Sequence, residues 1–473
     1  MTPQDHATAC LTWLAGRSAA AIEAALADPA HPTYAHLDAL ADAADSDDEV
    51  LRGAGLGALF GGLVEPLNDG FTPAGRAGYA RWFTRACWRV GTRDPRITAQ
   101  LAAFGIHDEA ALHARYQAAR HAPAPAPRTA TTVCILSRVT IGADLLLTTV
   151  VLQRLRQAYP TAELVVLGDG KLQALIGGFP GVRVRAVAYG RRGPLRERLA
   201  SWLAVVEALA AEAPDLVVAP DSRLDQLGIL PVTADPTRYH LWENVLPDGV
   251  ALSLARALDA DLARWLGLDP TPVEPRTRLD APTRAVQERL AAALGTRPIA
   301  AVKLDHGGNP AKALSRQAEV AALRRLRELG WRVLLDRGFG AAELANSDAL
   351  LADAGWTAVD LDDSSQGMGL AVGGLAPNAL ADADVIRFHG SIGGWAAACA
   401  CCRLTLSYDS VGHHLAAGLG VPVVTAFTGH RDARFAVAWK PHGPGAVTLV
   451  EIPTATKDEP HQWQRLVSAL PRP

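Results

Sequence analysis

The segment 404–429, LTLSYDSVGHHLAAGLGVPVVTAFTG, sets an acid, a hydroxyl and two imidazoles within six positions: Asp409, Ser410, His413 and His414. Leu404–Ser407 is an apolar strand, Tyr408–Gly412 reads as a turn, and a helix begins at His413 and stops at Gly420 before the buried strand Pro422–Phe427. A loop that runs from a parallel strand onto a helix N-terminus offers unpaired N–H groups and the positive end of the helix dipole, which attract phosphate. Ser410 can hydrogen-bond a phosphate oxygen, cap the helix, or do both. His414 projects from the first turn, where it either donates to phosphate or packs. Asp409 reads as an anchor of the loop, because a carboxylate beside a diphosphate repels it unless its oxygens accept nearby N–H groups.

Other positions carry chemistry in the same kind of setting. Asp144 follows a strand and opens a helix, as a general base in a cleft or as an N-cap carboxylate. Glu343 follows the strand Arg332–Leu335 and the loop DRGFG, where it can accept two ribose hydroxyls or lie on a surface helix. Arg223, in PDSRLDQLG, either meets an acceptor or forms a structural salt bridge. No acidic pair with metal-ligand spacing follows a strand, and Asp360 to Asp363 reads as a solvated loop, so no metal is expected. The six cysteines form no CxxC; the CACC run at 399–402 has spacings that cannot converge on one tetrahedral ion and reads as helix packing.

These residues need a frame, and the chain supplies two kinds. Residues 1–120 read as helices: Ala7–Leu26, Thr33–Ala44, Asp48–Leu63, Pro73–Val90, Pro95–Phe104 and Asp108–Arg120, with Tyr79, Trp82, Phe83 and Trp88 as core. The Ala-Pro run within 121–130 cannot continue a helix and reads as a stiff linker. Beyond it, strands and helices alternate as a parallel sheet covered on both faces requires. The first series has strands Thr132–Leu136, Glu163–Leu167, Val182–Val187 and Leu216–Ala219, helices Asp144–Tyr159 and Leu195–Ala213, and an irregular stretch over 221–248. The second begins at Ile299–Lys303 and continues through Arg332–Leu335, Thr357–Leu361, Val385–Phe388 and the segment above. The boundaries are 1–120, 121–130, 131–280 and 281–473.

Length, at 473 residues, suits two or three domains; 49% hydrophobic and 20% charged residues mark a globular chain. A net charge of −3 gives no case for nucleic-acid binding, although Arg191, Arg192, Arg196 and Arg198 offer a local patch for an anion. No run of about 18 uncharged apolar residues appears, and the N-terminus lacks signal-peptide order. A cytoplasmic protein is expected, with the inner face of a membrane as an additional contact.

The ordered motifs resemble glycosyltransferase family 9, the ADP-heptose:lipopolysaccharide heptosyltransferase type. Asp409, Ser410, Val411, Gly412, His413, His414, Leu415, Ala416, Ala417, Gly418, Leu419 and Gly420 resemble its C-terminal signature, with Val411 where the family has glycine. GHRDARFAVAWKPHGPG resembles the family's tail, with His430 and Arg431 replacing Pro-Thr. At the other end, Gly142, Ala143 and Asp144 resemble its Gly-Asp loop, and Thr148 keeps the spacing after the acid. VKLDHGGNPAKALS resembles the loop whose lysine meets the pyrophosphate, here Lys312. The resemblance spans about 131–455.

It implies an α/β chain of two facing Rossmann-like domains (the GT-B fold), here preceded by an all-α domain, and a glycosyltransferase. Asp144 would be the base. Lys312, Asp409, Ser410, Val411, Gly412, His414 and Glu343 would hold the donor, and Arg223 would meet the acceptor. The donor would be a nucleotide-diphosphate sugar such as ADP-heptose, the transfer inverting and metal-independent, with no cofactor. The acceptor would be a glycan, lipopolysaccharide or another lipid-linked sugar, or a protein. A non-catalytic sugar-nucleotide-binding or assembly protein is the alternative, supported by Ala143 and Val411; a sugar-nucleotide 2-epimerase would share the architecture without the 409–420 signature.

Overall fold

The computed structural model describes residues 1–121, 124–247, 250–304, 309–338, 340–364, 369–371, 379–430, 432 and 434–473. Outside them lie 122–123 of the Ala-Pro run, Asp248 of the irregular stretch, residues 305–308 of the Lys312 loop, Phe339 of DRGFG, and Arg431. Two compact units divide the chain. One comprises Met1–Val139, Gln153–Gly170 and Arg183–Pro272; the other comprises Thr140–Leu152, Lys171–Val182 and Val273–Pro473.

The first sheet contains β1 (Thr132–Leu136), β2 (Glu163–Gly168), β3 (Val182–Ala186), β4 (Leu216–Pro220) and β5 (Tyr239–Trp242), in the order β3-β2-β1-β4-β5. β1 pairs in parallel with β2 and β4, and β4 with β5. β5 falls in the stretch expected to be irregular. Its four residues are all buried, and Tyr239 is fixed by a 2.6 Å hydrogen bond from its hydroxyl to Asp225.

Helices fill most of residues 3–121. Thr33–Ala44 forms as expected, but Ala7–Leu26 is two helices, Pro3–Leu14 and Ala19–Ala25. Gly16 takes φ 75° between them, and the Ser18 hydroxyl caps the second by accepting from the Ala21 N–H. Leu37, Leu59, Tyr79, Trp82 and Phe83 belong to one continuous core with Cys134, Leu136, Val165 and Val217 of the sheet. The helical segment and the first sheet therefore share an interior. The helical run Glu49–Asp69 is long and apolar enough to cross a membrane, yet it buries Leu56, Leu59, Leu63 and Val64 in this core. Of the Ala-Pro run, Ala124 accepts from the Trp265 indole and Pro127 from the Tyr159 hydroxyl, so the stretch is fastened along this unit.

β1 and β4 flank the point where strand order reverses, the usual ligand position in an open parallel sheet. Here it is filled. Arg76, from the helix Pro73–Gly91, lies 2.8 Å from Asp221 just after β4, and Arg138, just after β1, pairs with the same carboxylate. All three are buried. Val139 and Asp221 hold positive φ angles of 71° and 52°, costly for side-chain-bearing residues and sustained by this network.

The second sheet has eight strands: β6 (Ile299–Lys303), β7 (Arg332–Asp336), β8 (Val359–Ser364), β9 (Gly369–Ala371), β10 (Val385–His389), β11 (Leu404–Tyr408), β12 (Val423–Phe427) and β13 (Val447–Glu451). Their order is β13-β12-β11-β6-β7-β10-β8-β9, parallel except for the β8–β9 edge. The acidic run from Asp360, expected as a loop, is strand β8. Arg387, opposite Asp360 on β10, holds that carboxylate with two hydrogen bonds of 2.6 and 2.9 Å, which offsets the charge along the edge. The chain leaves β6 toward β7 and later returns to β6's other side as β11, so the switch point of this sheet is β6/β11.

Candidate functional site

The C-terminal ends of β6 and β11 bring most of the sequence-selected residues together. β11 runs through Tyr408, the turn shrinks to Asp409 and Ser410, and the helix Val411–Leu419 starts two residues earlier than expected. Val411 and Gly412 are thus its first helical residues rather than loop. Ser410 is the N-cap, its hydroxyl accepting from the Gly412 N–H at 3.4 Å. Gly420 ends the helix at φ 85°.

Glycine is required at Gly412 by packing. A β-carbon there would lie 2.7 Å from Ser407 Oγ and 3.0 Å from Lys303 Cδ. Val411 meets a different demand: a β-carbon on Gly142 would sit 3.3 Å from Val411 Cα and 3.2 Å from the His414 ring. Gly142 therefore lets the Asp144 turn press against the N-terminus of this helix.

Lys312 comes to Asp409. Its ammonium lies 2.7 Å from Asp409 Oδ2 and donates to the Asp409 carbonyl at 3.0 Å, with the lysine side chain 21% exposed and the aspartate 9%. The turn Pro310–Lys312 is braced from two sides. The Lys457 ammonium donates to the carbonyls of Ala311 and Ala313 at 3.1 and 2.6 Å. Gly429, at φ 79°, lies so close that a β-carbon would come within 2.7 Å of the Lys312 main-chain nitrogen. Asp409 thus ties the β11 turn to the Lys312 turn through both its carboxylate and its carbonyl.

Two residues here were given no role in the sequence reading. Lys303, the last residue of β6, is buried against Asp336 at the end of β7, with Trp395 beneath its ammonium. His413 is fully buried, stacks on Phe427, shares a 3.1 Å hydrogen bond between Nδ1 and Thr425 Oγ1, and brings Nε2 to 3.6 Å from Asp409 Oδ1. Burial lowers its pKa to about 3 and pushes that of His414 well below the usual range, so both rings are neutral near pH 7. Among the described residues, Asp409, His413 and His414 each offer a ligand atom within 4.8 Å of the others.

Asp144 does not open a helix: Thr140 precedes the helical run, which begins at Ile141, and Asp144 sits inside it at φ −64°. The N-cap role is therefore excluded. Its carboxylate accepts from the Thr148 hydroxyl one turn on, at 2.7 Å, and the residue is 1% exposed. Glu343 lies in the first turn of the helix Ala341–Ala354, under the loop after β7, where a β-carbon on Gly338 would meet its carboxylate at 2.4 Å. Arg223 is not part of this cluster. It is exposed in the first unit, and it forms no ion pair among the described residues. Of the basic patch, Arg196 pairs with Asp45 and Asp47, and Arg191 donates to the Val139 carbonyl. Cys399 and Cys401 have thiol pKa values raised by burial to about 11.

No family model and no curated protein matches the chain. Among solved structures it is similar to a glycosyl transferase family 9 protein from Veillonella parvula DSM 2008, with 17% identity, a TM-score of 0.48, and coverage of 69% of this chain and 87% of that one. It is similar also to the E. coli ADP-heptose LPS heptosyltransferase II, with 16% identity, TM-score 0.46, and 71% and 96% coverage. The E. coli heptosyltransferase WaaC with ADP gives 17%, 0.46, and 68% and 94%. At these TM-scores the likenesses carry no weight for activity, which rests on the residues of the site.

Proposed function

We propose that this chain is a cytoplasmic glycosyltransferase that takes its sugar from a nucleotide-diphosphate donor held at the β6/β11 switch point of the second unit. The observation that carries the reading is Lys312, braced by Lys457 and Gly429 and held by Asp409 beside a Ser410-capped helix N-terminus. A cation and helix N-terminal N–H groups at one strand end are what a departing diphosphate needs. The motif order that resembles family 9 supports the same choice and favours ADP-heptose.

In the proposed reaction an acceptor hydroxyl attacks the anomeric carbon from the face opposite the nucleotide, inverting its configuration. Asp144 takes the hydroxyl proton. The glycosidic bond to the diphosphate breaks, and its developing charge is met by Lys312, the N–H groups of Val411 and Gly412, and the Ser410 hydroxyl. Glu343 would accept the ribose hydroxyls. The acceptor, a glycan, a lipid-linked sugar or a protein, would be the first unit's ligand, with Arg223 as its exposed cation.

One observation favours a second reading, donor binding without transfer: Asp144 is buried and bonded to Thr148. Calorimetry of the full chain with ADP, UDP, GDP and their sugars tests the shared premise. One nucleoside diphosphate should bind, and Lys312→Ala should weaken it. If none binds, both readings fail.

A further inference from the structure

We propose that Asp409 Oδ1, His413 Nε2 and a ring nitrogen of His414 form a three-ligand site for a divalent first-row transition-metal ion. The cluster is built as such a site would be. All three residues are buried, at 7%, 0% and 6% exposure. His413 Nε2 and His414 Nδ1 have no hydrogen-bond partner among the described residues, and a buried polar atom left so is costly unless a ligand fills the gap. Each ring nitrogen without a proton is a lone-pair donor to a metal ion.

The spacing of the His413–Asp409 pair agrees. Two ligand atoms each about 2.1 Å from a tetrahedral ion lie about 3.4 Å apart, and His413 Nε2 stands 3.6 Å from Asp409 Oδ1. The other nitrogen of His413 is already engaged by Thr425 Oγ1, which turns the ring so that Nε2 faces the carboxylate. Such an outer hydrogen bond is the usual companion of a metal-binding histidine. Lys312 does not compete for the same atom: it holds Asp409 Oδ2 and leaves Oδ1 for the ion. The helix N-terminus opposes a cation, and the ligands lie in its first turn, but its partial charge is small beside three direct bonds.

Two imidazoles and one carboxylate make a borderline donor set that suits zinc, iron(II), cobalt(II) or manganese(II) over calcium or magnesium. Three protein ligands leave a position open for water or a phosphate oxygen. The site does not depend on the proposed transfer, since uptake is read with no sugar nucleotide present.

The test uses the full chain, stripped with chelator and titrated with cobalt(II), whose visible absorption reports low-symmetry coordination. One equivalent should bind and be displaced by zinc. His413→Phe, which keeps the stack on Phe427, and His414→Gln should each lose at least tenfold in affinity, while His461→Ala at the surface changes nothing. X-ray absorption of the zinc-loaded wild type needs no variant to fold and should show two imidazole nitrogens and an oxygen. Failure of the wild type to retain an equivalent, undiminished binding in folded His413→Phe, or a zinc spectrum without imidazole overturns the site.

Discussion

Removing Lys312 probes how the site is held. Its ammonium and the Asp409 carboxylate are 2.7 Å apart, with 21% and 9% of their side chains exposed. That places the pair between exposed ion pairs, worth about 0–1 kcal/mol, and fully buried ones, where losing one partner costs about 3–5 kcal/mol. Lys312→Ala should therefore destabilise by about 2–3 kcal/mol, because it leaves Asp409 beside neutral histidines with its main cation gone. Asp409→Asn should cost less: Lys312 also donates to the Asp409 main-chain carbonyl at 3.0 Å, a bond the substitution keeps. The double variant should cost less than the sum, with a coupling of about 1.5–2.5 kcal/mol, well above the roughly 0.5 kcal/mol scatter of independent sites. Urea unfolding of the four proteins, with slopes checked for equality, measures it. Donor affinity should fall about 10–100-fold in Lys312→Ala, the worth of one charge-assisted hydrogen bond of about 1.5–3 kcal/mol. Additive stabilities together with unchanged donor affinity would refute the reasoning.

Two other perturbations address the scaffold. Gly412→Ala should destabilise by about 1–3 kcal/mol through overpacking against Ser407 and Lys303, and Ser407→Ala in the same chain should recover part of the loss; equal midpoints for Gly412→Ala and wild type would contradict the packing. Asp225 is fully buried and its pKa is raised to about 7, chiefly by desolvation. Its native state holds a proton that the unfolded chain has released between about pH 4 and 7, so this group's contribution to stability falls as pH rises through that window, by up to roughly 4 kcal/mol. Asp225→Asn should flatten that part of the profile, and parallel urea-midpoint profiles for the two proteins would show the reading wrong.

The parts of the structure legible in the sequence were those with local causes. Thr33–Ala44, Thr132–Leu136 and Ile299–Lys303 form over the expected residues because period and punctuation agree in each. The β11 turn was legible for the same reason, and the order of its motifs with the Lys312 loop pointed to one site. What escaped depends on distant partners. β5 is a four-residue edge strand with all positions buried, so no alternation marks it. β8 was expected to end at Leu361, and its acidic continuation looks like a solvated loop until Arg387 pairs with Asp360 across the sheet. Lys303 finds Asp336 after 33 intervening steps of chain, and His413 finds Thr425 after 12; neither pairing has a local signal. The glycine expected at Val411 is needed at Gly412, because the helix starts earlier and its second residue faces Ser407.

The most direct test of the proposed transferase is product analysis with the nucleotide-diphosphate sugar that binds, comparing wild type with Asp144→Asn. The account predicts that wild type releases nucleoside diphosphate and forms a glycoside of inverted anomeric configuration on an acceptor hydroxyl, whereas Asp144→Asn binds the donor equally and loses at least about 100-fold in rate. Donor binding with no transfer by the wild type to glycan, lipid-linked or protein acceptors, or full transfer by Asp144→Asn, would contradict it.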